Sequence, residues 1–284
     1  MISDKQTNFV YFSAYLKDNY TEIYNNISVI LDRNGINHGL IDGKNNNDIW
    51  ARDYMPLQTH KNRFVKFKYA PSYIDNKKDF MSDYNKICDE LLSKSTLIYS
   101  DIKLDGGNVV KWEDKVIISD RIYSENPEYS DKNQLVKEIE ELLQTEVIII
   151  PQINCDFTGH ADGYLKLLNS KEILVNDLEC EFKYWSVKMK KLIPARGLVY
   201  ENMPFFEKKE KKYSSSAIGC YINYLEIGNL IIFPIFELPG NKDDECLKLM
   251  SAWYPKHKIE PININEIARK GGGLMNCISW NILK

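Results

Sequence analysis

The sequence has no apolar stretch long enough to cross a bilayer and no closely spaced pair of cysteines. Its longest apolar run, residues 229–236, is far shorter than the roughly 18 residues that a membrane helix needs. The six cysteines are scattered over 284 residues without a CxxC motif, so neither a zinc site nor a redox pair is indicated. We therefore expect no membrane span, no metal, no organic cofactor and reduced thiols.

The chain also has no excess of positive charge. Its 37 Lys and Arg residues stand against 40 Asp and Glu, so no broad basic surface is available to bind nucleic acid. The lysine-rich run 207–212 is interpreted as a solvated loop. The first 20 residues lack a basic segment followed by an apolar run, which predicts no signal peptide and a cytoplasmic location.

What the sequence does contain is a repeated structural unit. Four β-hairpins are predicted where apolar, β-branched or aromatic runs flank short polar turns. They cover residues 57–69, 108–119, 164–175 and 218–236. A helical pattern follows each hairpin, and a further strand is predicted after each helix. These strands are placed at 96–100, 146–152, 197–201 and 258–263, the third being the least clear. The unit is therefore strand–strand–helix–strand.

Apolar spacing sets the predicted helices. In the second unit, Leu135, Ile139 and Leu143 fall on one helical face. Asp131 precedes them and is a residue type that caps helix N-termini. The helix of the first unit is placed at Ser82–Leu92. The inward stripes of the third and fourth units are predicted as Leu178, Phe182, Trp185 and Met189, and as Leu247, Met250 and Trp253, with Asn241 as the cap of the fourth.

The two ends of the chain are predicted to complete a ring. A strand within residues 8–15, a helix over 23–31 and a strand near Leu40 form a fifth unit that lacks part of its hairpin. The C-terminal run 274–283 can supply the missing strand, and closure leaves no open sheet edge. No linker or shift in composition interrupts the chain. We therefore expect a single α/β domain over residues 1–284, built as a five-bladed propeller of these repeats.

Four unusual polar motifs occur at the same place in successive units, just after the last strand. They read WARD (50–53), DGGN (105–108), GHAD (159–162) and GGGLMNC (271–277). Asp53 and Asp105 are 52 residues apart, and Asp105 and His160 are 55 apart. A further 117 residues, about two units, lead to Cys277. Because equivalent positions in a ring of repeats face one axis, these side chains are predicted to converge at one end of a central channel.

A cysteine, a histidine and three carboxylates in one pocket suit attack on a guanidinium carbon. Paired carboxylates bind this planar cation through fork-like hydrogen bonds. The cation and a nearby imidazolium lower the pKa of a thiol, which makes the nucleophilic thiolate available. Histidine can protonate the departing ammonia and then activate water. The residues therefore predict a guanidine hydrolase that acts on a small cationic substrate.

The motifs resemble those of the agmatine deiminase and Porphyromonas-type peptidylarginine deiminase family, within the guanidine-modifying enzymes of the pentein fold. The family pattern Trp-x-Arg-Asp-x-x-Pro matches residues 50–56, Gly-His-x-Asp matches 159–162, and the glycine-rich run before the cysteine matches 271–278. The motifs occur in the family's order, and the resemblance spans roughly residue 45 to the C-terminus. It implies the pentein fold and a hydrolysis that converts agmatine to N-carbamoylputrescine, a step of putrescine and polyamine biosynthesis.

The resemblance also implies a role for each matching residue. Cys277 would form a covalent thiouronium adduct, and His160 would act as general acid and base. Asp53 and Asp162 would hold the guanidinium nitrogens. Asp105 would orient His160, at a position where agmatine deiminases of the family usually carry Glu.

Further side chains are candidates for substrate contact. Trp50 is either a lid over the substrate or a plug in the core. Asn223 either touches the substrate or makes a hydrogen bond within its hairpin. Arg52 is the cation expected near the mouth, where a carboxylate could already occupy it. The aromatic faces expected at the same mouth are Tyr54, Tyr69 and Trp280.

Alternatives to an agmatine deiminase remain at this point. Tyr54, Met55 and Asn276 replace residues that are usual in the family, so a different decarboxylated or peptide-bound guanidine is an alternative substrate. A peptidylarginine deiminase and an amidinotransferase would use the same cysteine chemistry. A non-catalytic pentein that binds a macromolecule is a different class, and the retained cysteine, histidine and carboxylates argue against it. The sequence does not determine the oligomeric state, and a homodimer is one candidate.

Overall fold

The computed structural model describes residues 1–42, 46–73, 83–207 and 216–284. The predicted helix start at Ser82 and nearly all of the lysine-rich run 207–212 lie outside these residues. Within them, fifteen strands form five three-stranded sheets. None of the helices in the described part combines the length and the apolar character needed to cross a membrane.

The described residues form fifteen strands and nine α-helices. The strands are β1 Phe9–Ser13, β2 Asn37–Ile41, β3 Leu57–His60, β4 Arg63–Lys68, β5 Thr96–Lys103, β6 Val109–Lys111, β7 Lys115–Ser119, β8 Glu146–Ile150, β9 Leu165–Leu167, β10 Glu172–Asn176, β11 Val199–Met203, β12 Leu225–Ile227, β13 Leu230–Ile235, β14 Lys258–Asn263 and β15 Ser279–Ile282. The helices are α1 Ala14–Asn19, α2 Thr21–Arg33, α3 Ala51–Tyr54, α4 Tyr84–Leu91, α5 Arg121–Glu125, α6 Lys132–Leu143, α7 Lys183–Ala195, α8 Asp243–Trp253 and α9 Asn265–Gly271.

Four of the sheets repeat one topology. They consist of the consecutive strands β3–β4–β5, β6–β7–β8, β9–β10–β11 and β12–β13–β14. The first two strands of each sheet pair antiparallel and the last two pair parallel. A parallel neighbour can be reached only by a crossover, and a helix makes that crossover in every case. The predicted strand–strand–helix–strand unit is therefore confirmed, and the unclear strand of the third unit is β11.

The fifth sheet joins the two ends of the chain. β15 pairs antiparallel with β1, in a register that runs from Phe9 opposite Ile282 to Phe12 opposite Ser279. β2 pairs with β1 on its other side, in parallel. The C-terminal run thus supplies the missing strand of the first unit, as predicted, and the loop that precedes β15 is fixed next to the loop that follows β1 and β2.

The helices pack their apolar faces inward, with one correction to the predicted faces. In α6, Leu135 is buried and the Asp131 carboxylate accepts a hydrogen bond from the Asn133 amide, as its cap position predicts. α7 begins only at Lys183, so Leu178 lies in the preceding turn and Phe182 is 46% exposed. The prediction placed Leu178 and Phe182 on the helix because their spacing to Trp185 and Met189 is the same as within a helix. The buried face of α7 consists of Trp185, Met189 and Ile193.

The fourth hairpin also differs from its prediction. β12 begins at Leu225, and residues 218–224 form turns that lead toward the axis of the ring. At Gly219 φ is +92°, and a side chain there would collide with the Phe206 carbonyl oxygen. The chain therefore turns against the backbone at 206 instead of extending as a strand. This departure matters for the site, since it places Asn223 at the axis.

Candidate active site

The four polar motifs lie at one end of the ring axis. WARD forms the short helix α3, while DGGN and GHAD form 3₁₀ turns at Gly106–Asn108 and Ala161–Gly163. The glycine-rich motif connects α9 to β15. Residues from three of the motifs line one cavity of about 670 Å³, and Asp105 of the fourth lies behind His160. The predicted convergence of these side chains is present in the structure.

Cys277 sits at the base of this cavity, at the end of the glycine-rich run. It is 7% exposed, and its Sγ lies 3.5 Å from Asp162 Oδ2 and 3.3 Å from Asn223 Oδ1. The run passes directly against the Trp50 indole, so that a Cβ at Gly273 would lie 2.5 Å from that ring. Only glycine permits this approach. Trp50 is half-buried and forms part of the cavity wall, a position that is compatible with either of its predicted roles.

His160 is held between two carboxylates. Its Nε2 lies 3.0 Å from Asp105 Oδ2, and its Nδ1 lies 3.6 Å from Asp53 Oδ1. An ionised carboxylate only accepts hydrogen bonds. Nε2 therefore carries a hydrogen and donates a hydrogen bond to Asp105. Asp105 does not line the cavity, whereas His160 and Asp53 do. This arrangement orients the imidazole and leaves the Nδ1 side next to the substrate space.

The pKa values of Asp53 and His160 are both raised. Burial is the largest cause for Asp53; the Asp105 and Asp162 carboxylates add to it, and the pKa reaches about 8 despite the opposing charge of His160. Burial alone would lower the pKa of His160, but the three surrounding carboxylates outweigh it and raise the pKa to about 9. Because both pKa values lie above 7, Asp53 and His160 each keep a proton at neutral pH while no cation is bound.

The Cys277 thiol must lose its proton to act as a nucleophile, whereas its surroundings favour the protonated form. Burial, followed by the negative charges of Asp162 and Asp53, raises the pKa of this thiol well above its usual range. Without a cation beside it, the sulfur stays protonated at neutral pH. A positively charged group bound between the carboxylates would oppose both effects and favour the thiolate.

Asp162 is fixed by amide groups rather than by a cation. Its Oδ2 accepts a hydrogen bond of 2.7 Å from Asn276 Nδ2. Asn223 donates to the backbone carbonyl of Asp162 at 3.3 Å, and its own Oδ1 faces the Cys277 sulfur. Asn223 lines the cavity and also makes hydrogen bonds within the fold, so both of its proposed roles remain compatible with its position.

Three of the residues expected near the substrate do not line the cavity. Arg52 is buried beneath the floor, where it donates to Asn281 Oδ1 at 2.8 Å and to the Asn276 carbonyl. Tyr54 is buried in the core, and Trp280 donates to the Pro56 carbonyl from a buried position. A ligand in the cavity would not reach these side chains, so the expectation of substrate contact is corrected for them. Tyr69 does line the cavity.

Sequence reasoning assigned no role to Tyr73, which contacts the catalytic candidates. Its hydroxyl donates to Asp105 Oδ2 at 2.9 Å and lies 3.4 Å from His160 Nε2. It lies after β4, in a segment whose path toward the axis no local pattern predicts. Asp48 was also missed: it lines the cavity and accepts hydrogen bonds from the Trp50 amide and the Tyr69 hydroxyl. Burial raises the pKa of Asp48 to about 6.

The carboxylates of the site do not form a metal-binding group with the histidine and cysteine in the described residues. In the parts of the chain that the structure describes, no group of three or more His, Cys, Asp or Glu side chains has the arrangement of a metal site. The candidate ligands are instead engaged with one another, as in the contact of His160 with Asp105.

Similar folds are known among enzymes that modify guanidines. The C. jejuni agmatine deiminase, as a Cys-to-Ser variant with substrate bound, has a TM-score of 0.79 and 19% identity, covering 100% of this chain and 96% of that one. The agmatine deiminase of Enterococcus faecalis has a TM-score of 0.74 and 16% identity, covering 100% and 95%. The fold is therefore the five-bladed α/β propeller called the pentein fold, as the sequence predicted.

Family membership follows from the sequence itself. The chain matches the Porphyromonas-type peptidyl-arginine deiminase family over residues 36–282, and it belongs to that family of deiminases. A Mycoplasma capricolum relative, which carries a provisional agmatine deiminase name, is 24% identical over 281 residues, covering 82% of this chain and 74% of its own.

Proposed function

We propose that the protein hydrolyses a guanidinium group to a ureido group and ammonia through a covalent adduct on Cys277. One observation carries the proposal: the Cys277 sulfur, the Asp53 and Asp162 carboxylates and the His160 imidazole all line the same cavity. A guanidinium carbon placed among them would have a nucleophile beside it, an anionic partner for its nitrogens and a proton donor for its leaving group.

Binding is assigned to Asp53 and Asp162. Both carboxylates are buried, and within the described part of the chain neither is paired with a lysine or arginine: Asp53 faces His160, and Asp162 is held by the Asn276 amide. A planar guanidinium provides five N–H donors, which suit two carboxylates. Its charge would also lower the pKa of the Cys277 thiol, so that the proton leaves the sulfur only when substrate is present.

The reaction then proceeds in two halves. The Cys277 thiolate attacks the guanidinium carbon, the carbon–nitrogen bond breaks, and ammonia leaves with a proton from the imidazolium of His160. This leaves a thiouronium on Cys277 and a neutral imidazole. In the second half, His160 takes a proton from water, the resulting hydroxide adds to the same carbon, and the carbon–sulfur bond breaks. The O–H proton of the product passes to the departing sulfur, which gives the neutral ureido group and restores the thiol. Asp105 keeps the imidazole oriented through both halves.

Agmatine is the proposed substrate, since the cavity offers groups that suit a second positive charge, its ammonium. Asp48 and Asp156 line the cavity together with Tyr20 and Tyr69. The Lys270 ammonium also lines it, but Glu266 accepts a hydrogen bond from that group at 3.0 Å. Free arginine would bring a carboxylate into this acidic region, at a desolvation cost. We expect kcat/KM for agmatine to exceed that for arginine at least about tenfold, or ~1.4 kcal/mol.

An ammonia-release screen tests the proposal. The purified chain would be assayed on agmatine, arginine, methylated arginines and arginine-containing peptides, with Cys277→Ala as the control for contaminating activity. The proposal predicts ammonia from agmatine in stoichiometric balance with a ureido product. A preference for arginine peptides would reassign the substrate within the family. Formation of a new guanidine from an added amine, with no release of ammonia, would instead identify an amidinotransferase.

A further inference from the structure

A cluster of buried charges lies beneath the catalytic floor. Asp4 Oδ1 lies 3.1 Å from Lys111 Nζ, and Asp4 Oδ2 lies 3.3 Å from Lys166 Nζ. Both lysines are more than nine-tenths buried, and they come from the first strands of neighbouring blades, β6 and β9. Asp162 lines both the large cavity and a small gap of about 10 Å³ among these charges. The floor of the site is therefore in contact with the cluster.

Lys166 lies 5.2 Å from the centroid of the Tyr224 ring and, unlike Lys111, also contacts Asn276. Its Nζ lies 2.9 Å from Asn276 Oδ1, while Nδ2 of the same amide lies 2.7 Å from Asp162 Oδ2. An ammonium can only donate a hydrogen bond, and an ionised carboxylate can only accept one. The Asn276 amide can satisfy both neighbours in one orientation alone, with its oxygen toward Lys166 and its N–H toward Asp162.

The carboxylate oxygen anchored in this way is also the one beside the nucleophile. Asp162 Oδ2 accepts from Asn276 and lies 3.5 Å from the Cys277 sulfur. Without the lysine, the amide could turn its oxygen toward the carboxylate. Two acceptors would then face each other in a buried site, and Asp162 would lose the hydrogen bond that fixes it.

We infer that Lys166, acting through Asn276, is a positioning residue that holds Asp162 in place for guanidinium binding beside Cys277. This inference rests on the proposed function, because it takes Asp162 to be a ligand of the guanidinium. Lys111 shares the ion pair with Asp4 and the burial, but it has no contact with Asn276 among its hydrogen bonds and ion pairs. It is therefore the matched control.

The first test compares Lys166→Met with Lys111→Met in steady-state kinetics. Each variant removes one buried ammonium from Asp4, so both should lower the melting temperature to a similar extent. Lys166→Met should in addition lower kcat/KM at least about tenfold relative to Lys111→Met, with a raised KM, because only it releases Asp162. Asn276→Ala removes the same link without changing any charge, and it carries the test if Lys166→Met fails to fold.

The second test needs no turnover. Chloroacetamidine, a cationic alkylating reagent, and chloroacetamide, its neutral counterpart, would be compared for their rates of alkylation at Cys277, measured by peptide mass spectrometry. The ratio of the two rates reports how well the carboxylates hold an amidinium beside the sulfur. Lys111→Met should keep the wild-type ratio, whereas Lys166→Met and Asn276→Ala should lower it about tenfold.

The two readouts separate the inference from the function on which it rests. Equal ratios and equal kcat/KM in Lys166→Met and Lys111→Met would overturn the role of Lys166 while the wild-type activity stands. Conversely, a wild-type protein that releases no ammonia from any guanidine would refute the proposed function. If that protein still prefers the amidinium reagent, and Lys166→Met does not, the positioning role of Lys166 is upheld.

Discussion

Both sides of the floor of the candidate site carry buried carboxylates, but among the described residues only the carboxylate below the floor is paired with lysines. Below the floor, Asp4 lies against two lysines. On the cavity side, Asp53 and Asp162 share a single imidazole, His160, for internal compensation. Uncompensated buried carboxylates are costly, so a fold that keeps them gains from a cationic ligand that completes the charge balance.

The pKa shifts of two aspartates express this difference. Burial opposes ionisation at both sites. At Asp53, burial and the neighbouring carboxylates outweigh the charge of His160 and raise the pKa to about 8. At Asp4 the charges of Lys111, Lys166 and Arg52 prevail and hold the pKa well below its usual range. Below the floor the carboxylate is thus already paired with cations, whereas the carboxylates of the cavity side are those to which the proposed function assigns a cationic ligand.

Removal of the nucleophile should have the largest effect of any single substitution. Cys277→Ala should lower kcat on the order of 10³-fold or more, because no other group takes over the covalent step. The fold should be unaffected, since the sulfur makes no strong hydrogen bond. Ammonia-release assays at high enzyme concentration, with circular dichroism as the folding control, measure both expectations. An alanine variant with substantial activity would contradict the covalent mechanism.

Asp4→Asn should break the lower side and chiefly affect stability. It leaves Lys111 and Lys166 without their shared carboxylate, which we expect to cost about 3–5 kcal/mol in the free energy of unfolding. Urea denaturation of wild type and variant at neutral pH measures the difference. If the two proteins unfold at the same urea concentration, Asp4 does not stabilise the fold through its ion pairs with Lys111 and Lys166.

The pH dependence of the same pair checks the sign of the effect. The folded-state pKa of Asp4 is depressed from 3.8, so its contribution to stability is fully present above pH ~4 and is lost as pH falls toward the folded value. The difference in stability between wild type and Asp4→Asn should therefore shrink as pH is lowered from 5 to 2. A difference that grows on acidification would show that Asp4 is not an ionised partner.

Neutralising the carboxylates of the cavity side should affect substrate recognition. Asp53→Asn and Asp162→Asn each remove one charge-assisted contact with the substrate. We expect each to lose about 2–4 kcal/mol of transition-state stabilisation, which would appear as a lower kcat/KM. Asp105→Asn should instead lower kcat more than it raises KM, because Asp105 orients His160 from behind the cavity. Steady-state kinetics on the three variants separate the two roles, and identical changes at all three sites would contradict this division.

Tyr73→Phe should have the smallest effect. It removes the hydroxyl that donates a hydrogen bond to Asp105. The activation free energy should rise by about 1 kcal/mol, so kcat should fall roughly fivefold with little change in KM. The alkaline limb of the pH–rate profile should move upward, because a carboxylate with one donor fewer holds the imidazolium proton more tightly. Tyr123→Phe, outside the cavity, is the control. An unshifted profile would reduce Tyr73 to a packing role.

Much of this arrangement could be predicted because it follows local rules. Hairpin turns and apolar periodicity set the repeats, and equal spacing of the motifs set the convergence of Asp53, Asp105, His160 and Cys277. Arg52 shows where the spacing argument fails. It is adjacent to Asp53 in sequence, but both lie in α3, where successive side chains point about 100° apart. One therefore faces the cavity and the other faces the cluster below.

The remaining features depend on contacts between distant blades. Tyr73 reaches Asp105 only because of the path the chain takes after β4, and no residue pattern near it encodes that path. The role of Asn276 becomes visible only with Lys166, which lies 110 residues away in sequence. Side-chain relays between blades of this kind cannot be predicted from periodicity.

The central claim is a covalent bond between the Cys277 sulfur and the amidine carbon of the substrate, and it can be measured directly. The protein would be mixed with agmatine, quenched in acid during turnover, digested and examined by mass spectrometry. The account predicts that the Cys277 peptide gains the mass of the substrate less ammonia, and that the adduct accumulates to a different extent in His160→Ala. An adduct on Cys220, which also lines the cavity, in place of Cys277 would contradict it.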